Sequence, residues 1–266
     1  MIFAAKPAGQ GSDAILARQM RLRVVSYNIH RAIGVDRRFR PERVVRILSA
    51  YNADIVLLQE VDEGAPRSRE LNLGRELAEA LGFPHLAIGH NVALRKGRYG
   101  NATLSRHPIL RERNIDLTVG FRKRRGCQHT RVLVSGPGGR RRRLEVFNVH
   151  LGLSARERMQ QVSLLSRSRE LASLPTEVPC LVGGDFNDWR LLLEPAFREE
   201  LRFRSATERP HLLTRAIRTF PSFFPQGALD RIYYRGRLRL HGARRCRFAL
   251  SRVASDHLPV IADFEL

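Results

Sequence analysis

The chain reads as an α/β protein with one extensive core, and three observations carry that class. Apolar residues make up 43% of its 266 residues, enough to bury a large interior at this length. Apolar runs of strand length recur along the chain, most ending in a polar residue and separated by Gly, Pro or Asn breakers. Between the first two runs, Val44, Ile47, Leu48 and Tyr51 fall at i, i+3, i+4 and i+7, the stripe of a helix that covers one face of a sheet.

Residues 1–20 carry no periodic pattern and are expected to form a flexible extension, leaving 21–266 as a single domain. Residues 22–29 read as a strand that ends near Asn28 and His30. A basic loop, 37–40, leads to Pro41, which suits the first turn of a helix. Residues 54–58 form a second buried strand ending in Gln59 and Glu60. This is a β-α-β unit with polar groups at both strand ends, where open α/β sheets bind ligands.

A loop over 62–69 and a helix to about 81 follow, then strands over 85–94, 99–105 and 109–117. Residues 129–134 and 144–149 are strand-like, and the second delivers His150. Ser154 and Glu157 have capping-box spacing, opening a helix to about 174 with Met159, Val162 and Leu165 inward. Residues 180–183 are a short buried strand. Gly183-Gly184 then turn the chain and present Asp185, Asn187 and Asp188, although a surface turn has the same composition. A short helix over 191–200 precedes irregular chain containing Pro210, Pro221 and Pro225. Residues 229–234 form a strand carrying Asp230, 235–252 are basic and strand-like, and Asp256-His257 lead into a last strand over 259–264. A strand beside a histidine in each half, at His150 and His257, suggests a pseudo-twofold relation. No linker separates the halves.

Composition removes several classes. No apolar run reaches the roughly 18–20 residues of a membrane span, and the N-terminus lacks the apolar core of a secretory signal. Three scattered cysteines without a C-x-x-C pair argue against a disulfide framework or a zinc site. A cytoplasmic monomer is expected. The formal charge is +21, and only three of the 47 basic residues are lysine. That excess reflects either codon usage or a basic face that attracts phosphate polymers or anionic membranes. Residues 121–143 alone hold nine basic residues and no acidic one.

Asn28, Glu60, His150, Asp185 with Asn187, Asp230, and Asp256 with His257 all stand at strand ends. Each alone is explained by a turn, a cap or a structural histidine; their recurrence is not. Hard oxygen donors such as Asn28, Glu60 and Asp256 suit Mg²⁺ or Mn²⁺. Two histidines with carboxylates suit acid–base work on a phosphate ester.

The same stretches read S-Y-N-I-H (26–30), L-L-Q-E-V-D (57–62), Y-G-N-A-T-L-S-R-H-P (99–108), N-V-H-L-G-L (148–153), G-G-D-F-N-D (183–188), L-D-R-I-Y (229–233) and S-D-H-L-P-V (255–260). In this order they resemble the endonuclease/exonuclease/phosphatase superfamily of DNase I-like and exonuclease III-like metal-dependent phosphoesterases, over nearly the whole chain. The style is that of its compact bacterial hydrolases. The resemblance implies a four-layer α/β/β/α sandwich of two packed mixed sheets, with the site at one edge. It implies hydrolysis of phosphodiesters by metal-assisted, in-line attack of water. Asn28 and Glu60 would bind the metal, with Asp256 close by. His257 paired with Asp230 would be general base or phosphate-orienting group, with Asp185 the rival for activating water. Asn187 and His150 would hold phosphoryl oxygens, while Tyr99, Asn101 and Arg125 would face the substrate. Arg231 departs from the family pattern, in which histidine commonly follows the aspartate. The substrate stays open among nucleic acid, anionic phospholipid and small phosphate esters. Phe220, Phe223 and Phe224 fit core packing, stacking on a base or contact with a lipid.

Overall fold

A computed structural model describes residues 20–208 and 216–266; residues 1–19 of the expected extension and Pro210 lie outside them, while Met20, expected in the extension, is buried in the core. Strands β1 (Arg21–Asn28), β2 (Ile55–Glu63), β3 (His85–Ala93), β4 (Arg98–Ser105), β11 (Arg239–Arg245) and β12 (Val260–Glu265) form one sheet in the order β11-β12-β1-β2-β4-β3. The second is β5-β6-β7-β8-β10-β9, from β5 (Ile109–Asp116), β6 (Gly126–Ser135), β7 (Arg141–His150), β8 (Cys180–Asp185), β9 (Arg204–Ser205) and β10 (Asp230–Arg235). Each sheet holds one parallel pair, β1–β2 and β7–β8, among antiparallel neighbours.

Strand alternation makes the layers. In β1, Leu22 and Val24 point between the sheets, whereas Val25 and Tyr27 point to the helices α1 (Pro41–Ser49) and α2 (Leu73–Ala80). In β7, Leu144 and Val146 face the first sheet, and Phe147 and Val149 face α3 (Ala155–Arg167) and α4 (Arg169–Ala172). Three apolar cores between four layers are the result. Each fully buried Leu, Val or Phe contributes about 1.5–3 kcal/mol. No helix among the described residues is long and apolar enough to cross a membrane. The three cysteines are buried and unpaired.

Several local expectations are corrected. The second strand does not stop at Leu58 but runs on to Glu63, through a bulge where the register with β4 shifts between Leu58 and Val61. The helix after Ser154 breaks at Ser168, whose backbone is extended (ψ 142°), so α3 and α4 are separate. Ser154 makes no side-chain cap, and Glu157, buried and accepting from Gln161, does not reach back to complete a capping box. Met159 is exposed: the buried stripe is Glu157, Arg158, Gln161, Val162 and Leu165, and Met159 falls off it. The short helix expected over 191–200 is helical only from 194 onward, with a π-helical turn over Ala196–Glu200. Within the basic stretch 235–252, only Arg235, which ends β10, and β11 are strand, and Ser251–Ala254 form a short helix, α5.

Candidate active site

The faces that form the inter-sheet core turn polar toward one end. Along β1 the inward series is Leu22, Val24, Ser26, Asn28; along β7 it is Leu144, Val146, Asn148, His150. On β8, Leu181 gives way to Gly183 and Asp185, and β10 reaches the same level with Asp230, opposite Asp185. Gly183 has no room for a side chain, since a Cβ would stand 2.7 Å from Leu57 Cδ1.

A buried amide layer separates core from site. Gln59 Nε2 donates to Asn148 Oδ1 at 2.8 Å, and Asn148 Nδ2 donates to the carbonyls of Leu58 (3.1 Å) and Ala102 (3.0 Å). Thr103 Oγ1 donates to Gln128 Oε1 at 2.6 Å. Asn101 belongs to this layer: its Nδ2 donates to Asn148 O at 2.9 Å, and its Oδ1 has no hydrogen bond. Gln59 stood out as a polar group at a strand end, whereas Thr103, Gln128 and Asn148 did not stand out as site residues, although the two-residue alternation carries them.

Above this layer Asp185 is central. Its Oδ2 accepts from Asn28 Nδ2 at 3.0 Å and lies 3.6 Å from the Nε2 atoms of both His150 and His257. Its Oδ1 accepts from the backbone N–H of Asn187 at 2.9 Å. Asn187 stands at φ +50°, a conformation Asn tolerates, and its Nδ2 donates to Leu151 O at 3.0 Å. His257 Nδ1 pairs with Asp230 Oδ2 at 2.8 Å, and Thr219 Oγ1 donates to the same oxygen at 2.5 Å. Ser255 ties the first sheet to this dyad, donating to Asn28 O at 2.7 Å and accepting from His257 N at 3.1 Å. Thr219 and Ser255 escaped the sequence reading because isolated hydroxyls carry no pattern.

Electrostatics divides the two histidines. Burial would lower the pKa of His257, but the Asp230 and Asp185 carboxylates outweigh it and hold the ring up at about 10. Burial, with Arg125 and His257 nearby, pushes His150 well below the usual range, so that ring is neutral. Burial raises the Asp185 carboxyl to about 6, against the opposing effects of His257 and the Asn28 hydrogen bond.

Glu60 occupies the β2 bulge at φ +57°, a left-handed backbone that costs about 1–2 kcal/mol outside glycine. Its Oε2 is buried without a hydrogen bond, with Arg31 Nε 3.4 Å away. Asp230 Oδ1 is likewise buried and unpartnered. Asp185, Asp230 and His257 place ligand atoms within 4.8 Å of one another; neither Glu60 nor Asp256 belongs to that cluster. Hard, unsatisfied carboxylate oxygens are what a divalent cation would satisfy, so the donor set fits Mg²⁺ or Mn²⁺. Asp256 lies next to His257, half-buried, with its carbonyl accepting from Ser222 N. Tyr99 is buried under Arg67 and Lys123, which stand 5.3 and 5.2 Å from its ring centroid. Arg125 is buried with its Nε unpartnered. Arg231 is wholly buried, bonded to Ala228 O and Tyr233 Oη.

Residues 25–257 match the model of a family described as the endonuclease/exonuclease/phosphatase family. An uncharacterized protein, YbhP, of Escherichia coli strain K12 is 32% identical over 258 residues, covering 94% of this chain and 98% of that one. Among solved structures, an endonuclease/exonuclease/phosphatase from Beutenbergia cavernae superposes with a TM-score of 0.76 at 21% identity, over 93% of this chain and 72% of its own. A mannosyl-6-phosphatase from Bacteroides thetaiotaomicron superposes with a TM-score of 0.67 at 18% identity, over 91% of this chain and 99% of its own.

Proposed function

For a chain that belongs to the endonuclease/exonuclease/phosphatase family, we propose divalent-metal-dependent hydrolysis of phosphodiesters by in-line attack of water. One observation carries the reading: a buried carboxylate, Asp185, stands 3.6 Å from two imidazoles, His150 and His257, while Asp230 anchors one of them. Asp185 is the group that accepts the proton of the attacking water, because an acid held near 6 is a competent base at neutral pH. His257, kept as imidazolium by Asp230, neutralises charge that grows on the phosphoryl oxygens. Neutral His150 and the second amide hydrogen of Asn187 are further donors to those oxygens.

Asn28 and Glu60 would hold Mg²⁺ or Mn²⁺, with Asp256 close to it. When bound, the cation supplies polarisation of the phosphoryl group and stabilisation of the leaving oxyanion. Tyr99 and Arg125 complete the substrate side in this reading, with Arg125 as a charge beside His150, while Asn101, in the buried amide layer, would support the site from beneath.

The test is a hydrolysis panel with Mg²⁺, Mn²⁺ or chelator on bis-p-nitrophenyl phosphate, p-nitrophenyl phosphate, plasmid, abasic duplex, RNA and phospholipid. Turnover of the diester that chelator abolishes is the expected result. Hydrolysis of the monoester alone, the chemistry named for the Bacteroides phosphatase, would reject the diester reading.

A further inference from the structure

The second sheet carries four loops at its active-site end, and their exposed tips are apolar. They follow the order of the strands. The β5–β6 loop presents Phe121, the loop after His150 presents Leu153, the loop after Asp185 presents Trp189 and Leu192, and the loop before Asp230 presents Phe223 and Phe224. Pairing fixes their common end: Asp116 opposes Gly126, His150 pairs with Asp185, and Asp185 with Asp230. These six are half of the twelve large apolar side chains exposed among the described residues. Scattered exposed apolar groups need no explanation, but a row of them along the end that carries the catalytic residues does.

Basic groups interleave with the tips. Phe121 precedes exposed Arg122, Lys123 and Arg124; Trp189 precedes exposed Arg190; Leu153 stands three residues before exposed Arg156. Residues 117–125, 151–154 and 217–229 contain no acidic residue. In 186–195, Asp188 is buried and Glu194 is turned toward Arg198 and Arg231. The row is joined to the catalytic residues through aromatic contacts. Trp189 lies against Gly227 and meets Phe220 edge-on at 5.6 Å, and Phe220 packs on His257 at 4.9 Å.

We infer that this end of the molecule docks on an anionic phospholipid bilayer and sets the catalytic residues against the headgroup phosphates. Apolar tips beside arginines fit the boundary between acyl chains and anionic headgroups, where both kinds of side chain gain. Tryptophan favours that depth. A nucleic-acid strand would use the arginines, but Leu153 and Leu192 have no ring on which a base could stack and would stay in water. The substrate class that follows is the phosphodiester of a glycerophospholipid at a membrane surface, an assignment that rests on the phosphoesterase reading above. The docking itself does not rest on it.

Trp189 is the only tryptophan, so its emission reports the tip directly. With vesicles rich in phosphatidylglycerol, Trp189 should shift to the blue and be quenched by lipids brominated on their acyl chains. Pure phosphatidylcholine vesicles should bind at least about tenfold more weakly. The double variant Phe223→Ser/Phe224→Ser should lose at least about tenfold in vesicle affinity and in phospholipid hydrolysis, with hydrolysis of bis-p-nitrophenyl phosphate unchanged. Leu164→Ser, on α3, should match the parent protein throughout. Absence of quenching, equal binding by the double variant, or a Trp189 response to a single-stranded oligonucleotide but not to vesicles would overturn the docking. Binding that survives while no phosphate ester is hydrolysed would reject the phosphoesterase reading and leave the docking standing.

Discussion

Among the described residues, two buried carboxylate–histidine pairs joined by a hydrogen bond stand in the second sheet and at its border, and they are built for different ends. His129 Nε2 meets Glu145 Oε2 at 2.6 Å; His257 Nδ1 meets Asp230 Oδ2 at 2.8 Å. Glu145 is fully engaged, its other oxygen accepting from Arg131 at 2.6 Å, and the His129 ring stacks on Phe147 at 4.5 Å. Asp230 leaves Oδ1 buried without a partner, and the second nitrogen of His257 faces a second carboxylate, Asp185, at 3.6 Å. A pair whose carboxylate is fully engaged adds stability, even with His129 Nδ1 left buried and unpartnered; a pair with an open carboxylate oxygen and a second, facing carboxylate has capacity left for a substrate or an ion.

Substitutions sharpen this contrast. The largest effects should fall on the open pair: Asp185→Asn and His257→Ala should each lower turnover by about 10²–10⁴-fold while far-ultraviolet circular dichroism is retained. His129→Ala, by contrast, should leave turnover within about threefold; a loss there equal to that of His257→Ala would erase the distinction. Glu60→Gln should behave like Asp185→Asn in turnover, and titration calorimetry should show weaker Mg²⁺ or Mn²⁺ binding.

Next in size is stability at the closed pair. Glu145→Gln should cost about 1.5–3 kcal/mol in urea unfolding at pH 7, with turnover preserved. Burial would raise the Glu145 carboxyl, but the bonds from His129 and Arg131 prevail and hold it below the usual range. A depressed folded pKa stabilises above the unfolded value, roughly 4.3 for Glu, and that stabilisation is lost as pH falls through the folded value. The difference between parent and variant should therefore be level near neutrality and shrink in acid below about pH 4.3. A difference that grows in acid would refute the assignment.

The smallest expected change is at Thr219, which supports Asp230 without facing the substrate. Thr219→Val should lower kcat by about tenfold with KM unchanged and displace the pH–rate profile; Thr219→Ser should restore both.

Much of the fold was legible because burial on a strand has a period of two and on a helix 3.6. Val44, Ile47 and Leu48 announced α1, and the apolar runs around Val25, Val56 and Val182 announced central strands. Met159 misled because one apolar residue does not set a helix face; α3 buries Glu157, Arg158 and Gln161, because Gln161 donates to Glu157 and the loop just before the helix, at Gly152 and Leu153, pairs with Gln161 and Arg158. Glu60 was legible as a polar residue after a buried run, but not as a bulge, since the slip in register depends on how β4 pairs.

Sequence by itself determined the α/β class, the family and the strand-end positions of Asn28, Asp185, Asp230 and His257, because these follow from local periodicity and motif order. Tertiary structure alone decided which carboxylate meets which imidazole, and which buried oxygens remain unpartnered. It also decided that four loops distant in the chain carry their apolar tips to one end. Those outcomes depend on two sheets closing face to face, and the distances and burial that set charge exist only after that closure.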